Sequence, residues 1–553
     1  MKRHRPLYPI LYISAIVMAG LITFLHIHLI KIKDSENPYN FSALNVAEDI
    51  KIISKKPHSI EHPNEKKVVR EYLSYRLRQL NGNVKVFEYD SIASKLGGYM
   101  DIANIYAVFD PPAVTDSTQY VILTAHYDSR FRQEVLSDTV FSYGAADDGY
   151  GVGVTMELVR VANNYHNLWN QGIKVLFTDA EEHEMDGMRN MMEKDPYVME
   201  NVNLVINIEA RGVRGPALLF ETSEGNGRLV DFYKNSGLPY GYSLTSLVYG
   251  ILPNNTDFSV VKNDYPGYNF AVVDNLKFYH TDRDNYSNIS LESIQHYGAQ
   301  INPLVKSYLL GRAYGDKAAF ESSCDKIFFT MPLLGLFSFS KAAYIVLNIV
   351  TLLFTLFLLY LSGYMMKITA KGVLGMFCRF FLLSLAVLLI GTFAAYLAAL
   401  SIGVPFNPLE VKYFKYDNLL FVLSLIFAGG TVFVAAWRRY LRNRHFCREF
   451  MASQLVFTGM LSFVSAVLFL DNFIFLVPLA MAGVSFFVSL FSKTLGGIFH
   501  IISGFIIALS GFSFFYLLYV TVTIGSLAFL LFLAAPYIGL LVAQLLCVRH
   551  VSV

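Results

Sequence analysis

Charge is scarce in this sequence. Of 553 residues, 16% are Asp, Glu, Lys or Arg, while 54% are apolar. Ordinary soluble domains carry about 25% charged residues, so a wholly soluble globular protein is excluded. The formal net charge is only +2 and no basic tract forms a nucleic-acid patch, so nucleic acid is not an expected partner. Cysteine is rare as well. Cys324, Cys378, Cys447 and Cys547 are too scattered for a disulfide framework, and none shows metal-site spacing. No internal repeat or low-complexity segment is present, which removes repeat arrays.

The charge that exists is unevenly spread. After Lys341 the chain is a series of apolar runs broken by short polar loops. Seven runs are long enough to span a bilayer, at about 342–366, 380–404, 418–436, 452–470, 472–491, 497–519 and 524–547. Near the N-terminus, Lys2-Arg3-His4-Arg5 precedes an apolar run from Leu7 to about Ile30. It lacks a small-residue cleavage site and reads as an uncleaved anchor.

The expected organisation is a basic N-terminus and anchor over 1–33, an extracytoplasmic domain over 34–325, and a membrane domain of about seven helices over 326–553. Lys367, Lys371 and Arg379 share one side with Arg438, Arg439, Arg442, Arg444, Arg448, Lys493 and Arg549. The opposite loops are nearly neutral, with Glu410, Lys412, Lys415 and Asp417 in one and Asp471 in another. By the positive-inside rule both termini are then cytoplasmic, and 34–325 faces periplasm or lumen. Ionisable residues deep in the spans are almost absent. His500, near the start of one, reads as an interfacial histidine, so the spans read as a scaffold in the lipid bilayer rather than a transporter. Nothing in the sequence sets the oligomeric state.

The region before Lys341 patterns as an α/β domain. Helical periodicity covers 43–56 and 63–80, with Asn64 as the helix start, and a further helix covers about Gly151 to Asn164. Short apolar runs at Val84–Tyr89, Asn104–Phe109, Tyr120–Ala125, Ile173–Phe177, Leu204–Ile208 and Asn269–Val273 read as strands. Strands this apolar, alternating with helices, predict a mostly parallel mixed sheet flanked by helices and buried on both faces. Ligands in such sheets sit beyond the carboxyl ends of the strands.

Metal-ligand residue types recur at those ends. His126-Tyr127-Asp128 follows one run, Glu181-Glu182 another, and Glu209 a third. Asp147-Asp148 lies in the loop before the 151–164 helix, and Tyr279-His280 follows a short apolar patch. Each alone reads blandly, as a turn or a solvated pair. The five carboxylates within FTDAEEHEMDG (177–187) are harder to dismiss, because burying unpaired like charges is costly. A bound cation would offset the repulsion. Glu184 and Asp186 of that stretch read as solvated.

The segments TAHYDS (124–129), GAADDGYG (144–151), FTDAEE (177–182), NIEARGVRGP (207–216) and YHTDRD (279–284) resemble the zinc aminopeptidase superfamily. That superfamily includes secreted leucyl aminopeptidases, glutamate carboxypeptidase and glutaminyl cyclases. PHSIEHPNEKKV (57–68) and LPNNTDF (252–258) look like supporting elements. An anchor, this domain and a multispan tail resemble the architecture of the endoplasmic-reticulum metallopeptidases and vacuolar membrane proteases. The short tail points to a bacterial relative.

The resemblance implies the zinc aminopeptidase fold, peptide substrates and two zinc ions, with Asp147 bridging them. His126 and Glu209 complete one site, and Glu182 and His280 the other. Glu181 is implied as general base, Asp128 as the group orienting His126, and Tyr279 as an oxyanion donor. Glu209 stands where many relatives have Asp, which alters geometry without removing a ligand. The expected function is a membrane-bound di-zinc exopeptidase, most directly an aminopeptidase. A glutaminyl cyclase, binding one zinc, is the alternative. A non-catalytic receptor-like domain is disfavoured because every expected ligand is present. Asn40, Asn254, Asn285 and Asn288 lie in glycosylation sequons that matter only for a lumenal eukaryotic domain.

Overall fold

β-branched and aromatic runs pair into a seven-stranded sheet in a computed structural model of the chain, which describes residues 7–251, 254–366, 368–409, 411–443 and 446–551. In chain order its elements begin with α1 (Leu7–His28), α2 (Ala43–Ile53), α3 (Pro63–Gln79), β1 (Asn83–Ala93), β2 (Tyr99–Phe109) and β3 (Tyr120–His126). Then come β4 (Gln133–Val135), β5 (Asp138–Val140), α4 (Gly149–Asn163), β6 (Gly172–Thr178), α5 (Asp186–Lys194) and β7 (Val202–Ala210). There follow β8 (Leu218–Thr222), α6 (Gly227–Tyr233), α7 (Ser243–Ile251), α8 (Asp257–Val261), β9 (Gly267–Val272), α9 (Leu291–Leu310), β10 (Lys326–Met331) and β11 (Gly335–Ser340).

The strand order is β1-β2-β6-β3-β7-β9-β8. The four central strands β6, β3, β7 and β9 are parallel, while β1, β2 and β8 pair antiparallel at the edges. The sheet is therefore mixed around a parallel centre. β3 lies between β6 and β7, so the carboxyl ends of these three strands are neighbours. Every residue of β3, β6 and β7 is buried, as strands covered on both faces require.

One face packs Val121, Leu123, Ile206 and Ile208 against α2, α4 and α9, through residues such as Val46, Val159 and Ile301. The other packs Ile122, Leu176 and Val205 with Met188 of α5 and Phe258 of α8. A polar ladder crosses this apolar sheet. Thr124 Oγ1 donates to Asn207 Oδ1 (2.6 Å), Asn207 Nδ2 to Asn269 Oδ1 (2.9 Å), and Asn269 Nδ2 to Glu221 Oε2 (3.1 Å). A one-residue slip of β3, β7, β9 or β8 would strand these buried groups, so the ladder pins the register.

Several elements differ from the sequence reading, and β1 and β2 both run further toward their connection, to Ala93 and from Tyr99. The second helix stops at Ile53, capped by Ser54, whose hydroxyl bonds back to Ile50 O. α3 starts with Pro63 rather than after Asn64, because the fixed φ of proline suits the first helical position. β8 is too short and too polar at Glu221 to read as a strand, and sheet pairing alone defines it.

The chain divides into two compact units, Ile27–Thr330 with Gly335–Lys341, and Met1–His26 with Met331–Leu334 and Ala342–Val553. The second contains α10 (Lys341–Met366), α11 (Ala370–Ser401), α12 (Asp417–Arg442), α13 (Phe446–Leu468), α14 (Phe473–Phe491), α15 (Lys493–Thr521) and α16 (Leu527–Val551). Among the described residues, eight helices are long and apolar enough to cross a membrane, and they mark an integral membrane protein. Several basic residues expected in loops lie on helices instead: Lys371 and Arg379 in α11, and Arg438, Arg439 and Arg442 in the last turns of α12. The residues Lys2 to Arg5, Lys367, Glu410 and Arg444 lie outside the described ones, as do Leu252 and Pro253. His500 packs inside the protein rather than on its surface. α15 begins at Lys493, so the imidazole lies two turns inside and is fully buried.

Candidate metal centre

Three parallel strands deliver the site. β3 ends in His126, β7 carries Glu209 one residue before its end, and the turn after β6 carries Glu181 and Glu182. Ala180, at φ 55°, makes that turn in the left-handed region. Gly187 lets α5 close onto it, because a Cβ there would lie 1.9 Å from Asp179 O. Asp147 comes from the loop before α4, whose N-cap is Asp148 through a bond from Gly151 N (2.9 Å). His280, at φ 59°, comes from the segment after β9.

These side chains converge as two groups that share Asp147. His126 Nε2 lies 3.1 Å from Asp147 Oδ1 and 3.6 Å from Glu209 Oε2. His280 Nε2 lies 3.3 Å from Asp147 Oδ2 and 3.2 Å from Glu182 Oε2. One ligand atom each from His126, Asp147 and Glu209 lie within 4.8 Å of one another, and so do those from Asp147, Glu182 and His280. Glu182 Oε1 and Glu209 Oε1 are buried without a hydrogen-bond partner, while the buried Asp147 Oδ2 and His280 Nε2 face each other at 3.3 Å. Orphaned acceptors of this kind are costly. Their convergence suits cations with nitrogen and oxygen ligands, as zinc takes.

Asp128 does more than the sequence suggests. His126 Nδ1 sits 3.0 Å from the Asp128 carbonyl and 3.4 Å from its Oδ1. The same carboxylate accepts from Glu181 N (3.1 Å) and Glu182 N (3.4 Å), so it fixes the histidine and the glutamate turn together. Tyr279 stacks on His280 with ring centroids 3.6 Å apart.

Electrostatics separate the carboxylates. Burial pushes half-buried Glu181 well above the usual carboxylate range, and Glu209 and Glu182 add to the rise. Burial also opposes charge on Glu182, yet His280 and Arg130 hold it far below that range. Glu209 is raised by burial, with His126 pulling it back. Burial raises the Tyr279 phenol, helped by Asp147 and Glu182. Adjacent glutamates thus differ sharply in proton affinity.

Some contributors were not legible in the sequence. Arg130 donates Nη1 to Glu182 Oε2 (2.8 Å) and to the Glu182 carbonyl (3.2 Å). Asp284 is buried and accepts from Ala146 N (2.7 Å), Asp147 N (3.2 Å) and Ser142 Oγ (3.1 Å), tying the His280 segment to the Asp147 loop. Asp257 hydrogen-bonds Thr178 at the end of β6. Tyr249 of α7 lies beside Glu221, Glu209 and Glu181, and its phenol is raised by burial and these charges. Position in YHTDRD is the one signal that pointed toward Asp284. Asp186 corrects an expectation: it is buried, not solvated, because α5 starts there and its Oδ2 accepts from Lys95 N (3.1 Å). Glu184 is exposed, as expected.

Residues 104–305 match the model of Peptidase family M28. The chain is 26% identical over 354 residues to Endoplasmic reticulum metallopeptidase 1 of Homo sapiens, covering 63% of this chain and 37% of that protein. It is 25% identical over 342 residues to a Vacuolar membrane protease of Neosartorya fischeri, covering 54% and 34%. A solved Zn-dependent exopeptidase from Parabacteroides distasonis is 20% identical with a TM-score of 0.39, over 48% of this chain and 98% of that one. The aligned part amounts to 37% and 34% of the two curated relatives' own lengths.

Proposed function

We propose, from the premise that residues 104–305 form a Peptidase family M28 domain, that this chain is a membrane-bound zinc exopeptidase, an aminopeptidase acting on peptides outside the cytoplasm. The observation that carries the reading is the convergence of His126, Asp147 and Glu209, and of Asp147, Glu182 and His280, into two triads, with Glu182 Oε1 and Glu209 Oε1 buried and unpartnered. Two zinc ions fit the two triads. His126, Asp147 and Glu209 would hold one, and Asp147, Glu182 and His280 the other. Bound zinc lowers the pKa of water and polarises a carbonyl.

The chain's own groups do the rest. Glu181 takes a proton from the attacking water and returns it to the leaving amine. Both transfers are general acid–base work within reach of a carboxylate beside the metal ligands. Glu182, next to it, stays ionised and serves as a ligand. Asp128 keeps the His126 ring and both glutamate N–H groups in place. The Tyr279 phenol keeps its proton and can donate to the developing oxyanion. Basic residues at one set of membrane-helix ends, including Lys371, Arg442 and Arg448, support cytoplasmic termini and a catalytic unit on the other side.

A glutaminyl cyclase is the second reading. Arg130 bears on one triad only, through Glu182, which favours unequal metal binding. The test is hydrolysis of aminoacyl chromogenic substrates by the full chain in detergent, with and without chelator, beside Glu181→Gln. Chelator-sensitive turnover that falls about 10²- to 10⁴-fold in the variant is expected. Cyclisation of N-terminal glutamine without hydrolysis would move the assignment to the cyclase.

A further inference from the structure

Arg211 has no role in the mechanism above, and its setting is unusual. Asn207 and Glu209 project from the same face of β7, toward the polar ladder and His126. Arg211 follows in step. Its N–H bonds Val272 O at 2.8 Å, extending the β7–β9 pairing past Ala210, so its side chain leaves on the face of Glu209. The residue is half-buried, and its Nε is buried without a hydrogen-bond partner. Among the described residues no carboxylate forms an ion pair with it.

The surrounding charges are committed elsewhere. Arg130 is spent on Glu182. Glu221 takes Lys262 Nζ (2.5 Å) and Asn269. Arg211 also lies near Tyr279, whose phenol is raised mainly by burial, with Asp147 and Glu182 adding and the Arg211 charge opposing. A guanidinium withdrawn from water calls for an anion, and its planar fork matches a carboxylate. Of the acids that rim the cleft, Glu182 and Glu221 are paired with Arg130 and Lys262, and Asp147 and Glu209 face the two histidines.

We infer that Arg211 receives a carboxylate of the substrate, so that the preferred substrates carry a free carboxylate within a residue or two of the scissile bond. Two kinds of peptide supply one: a di- or tripeptide through its C-terminus, or a longer peptide through an Asp or Glu side chain. The inference rests on the peptidase reading and narrows its substrate class.

The test uses the full chain in detergent with zinc. Three matched tripeptides are compared: a neutral free acid, its C-terminal amide, and an amide with Glu in place of the neutral second residue. Loss of one charged hydrogen-bond pair corresponds to about a tenfold effect or more. The wild-type chain should therefore prefer the free acid, or the Glu-containing amide, over the neutral amide by about tenfold in kcat/KM. Whichever is preferred identifies the source of the carboxylate. In Arg211→Met the ratio should fall to near one, and Arg211→Lys should restore part of it.

Equilibrium binding of the same peptides to Glu181→Gln is measured alongside. If no peptide is hydrolysed but the acid preference appears in binding, the peptidase reading fails and the carboxylate site stands. Equal kcat/KM and equal affinity for all three peptides in the wild type would overturn the inference, as would an Arg211→Met chain that keeps the full preference.

Discussion

Lys66→Met should destabilise the unit built on Ile27–Thr330 by about 3 kcal/mol at pH 7. Lys66 Nζ lies 2.9 Å from Asp179 Oδ1, with side-chain exposures of 7% and 0%. The other oxygen, Oδ2, accepts from Ala103 N (2.9 Å) and Tyr127 Oη (3.3 Å). Removing the ammonium leaves a buried carboxylate with neutral donors only. Breaking one side of a buried pair costs about 3–5 kcal/mol. The neutral donors place this pair at the lower end. A ceiling follows from protonation: Asp179 can instead take up a proton, at about 1.4 kcal/mol per pH unit above its pKa. Burial already raises that pKa, against the pull of Lys66, so protonation limits the cost.

The sign with pH follows. In the variant the folded-state pKa lies further above the unfolded value, so the penalty is full at neutral pH and shrinks as pH falls toward the unfolded pKa. The assay is urea-dependent pulse proteolysis of the full chain in detergent, reading fragments from the 63–310 region. Lys66→Met/Asp179→Asn should recover most of the loss. A single variant within about 0.5 kcal/mol of wild type, or a double variant less stable than the single one, would refute the reasoning.

Two further outcomes are expected. Asp284→Asn replaces one acceptor oxygen with a donor facing Ala146 N, Asp147 N and Ser142 Oγ, which costs about 1–3 kcal/mol. It should also weaken zinc binding about 10- to 100-fold in competition with a chelating dye. His58 is buried with Nδ1 on Lys56 O (3.0 Å), and burial lowers its pKa to about 4. Its contribution to stability is full above the unfolded value near 6.5 and is lost as pH falls through about 4, amounting to about 3 kcal/mol. Melting curves between pH 7 and 4 should show this slope, and His58→Gln should lack it.

The strand-end logic was legible because it is local. Apolar runs fix β3, β6 and β7, and the first polar residues after them arrive at one edge, so His126, Glu181, Glu182 and Glu209 could be named together. Long-range pairing was not legible. Lys66 and Asp179 are 113 residues apart, and nothing in the HPNEKK or FTDAEE stretch announces a partner. Asp186 read as solvated because its neighbours are acidic, whereas the β1–β2 connection brings Lys95 N onto it. Nothing in the sequence singles out Arg130, just after TAHYDS, or Arg211, within NIEARGVRGP, as a site residue. Only the packed cleft distinguishes the paired guanidinium from the unpaired one. The apolar membrane runs were plain by composition, but the burial of His500 among the helices was not.

Zinc content tests the central claim most directly. Asp147 is shared by both triads, with Oδ1 toward His126 and Oδ2 toward His280. Purified chain equilibrated with zinc and freed of excess should hold two equivalents by elemental analysis, and Asp147→Ala should hold none tightly. A wild-type value of one or zero, or an Asp147→Ala chain that keeps two, would contradict the shared-aspartate centre.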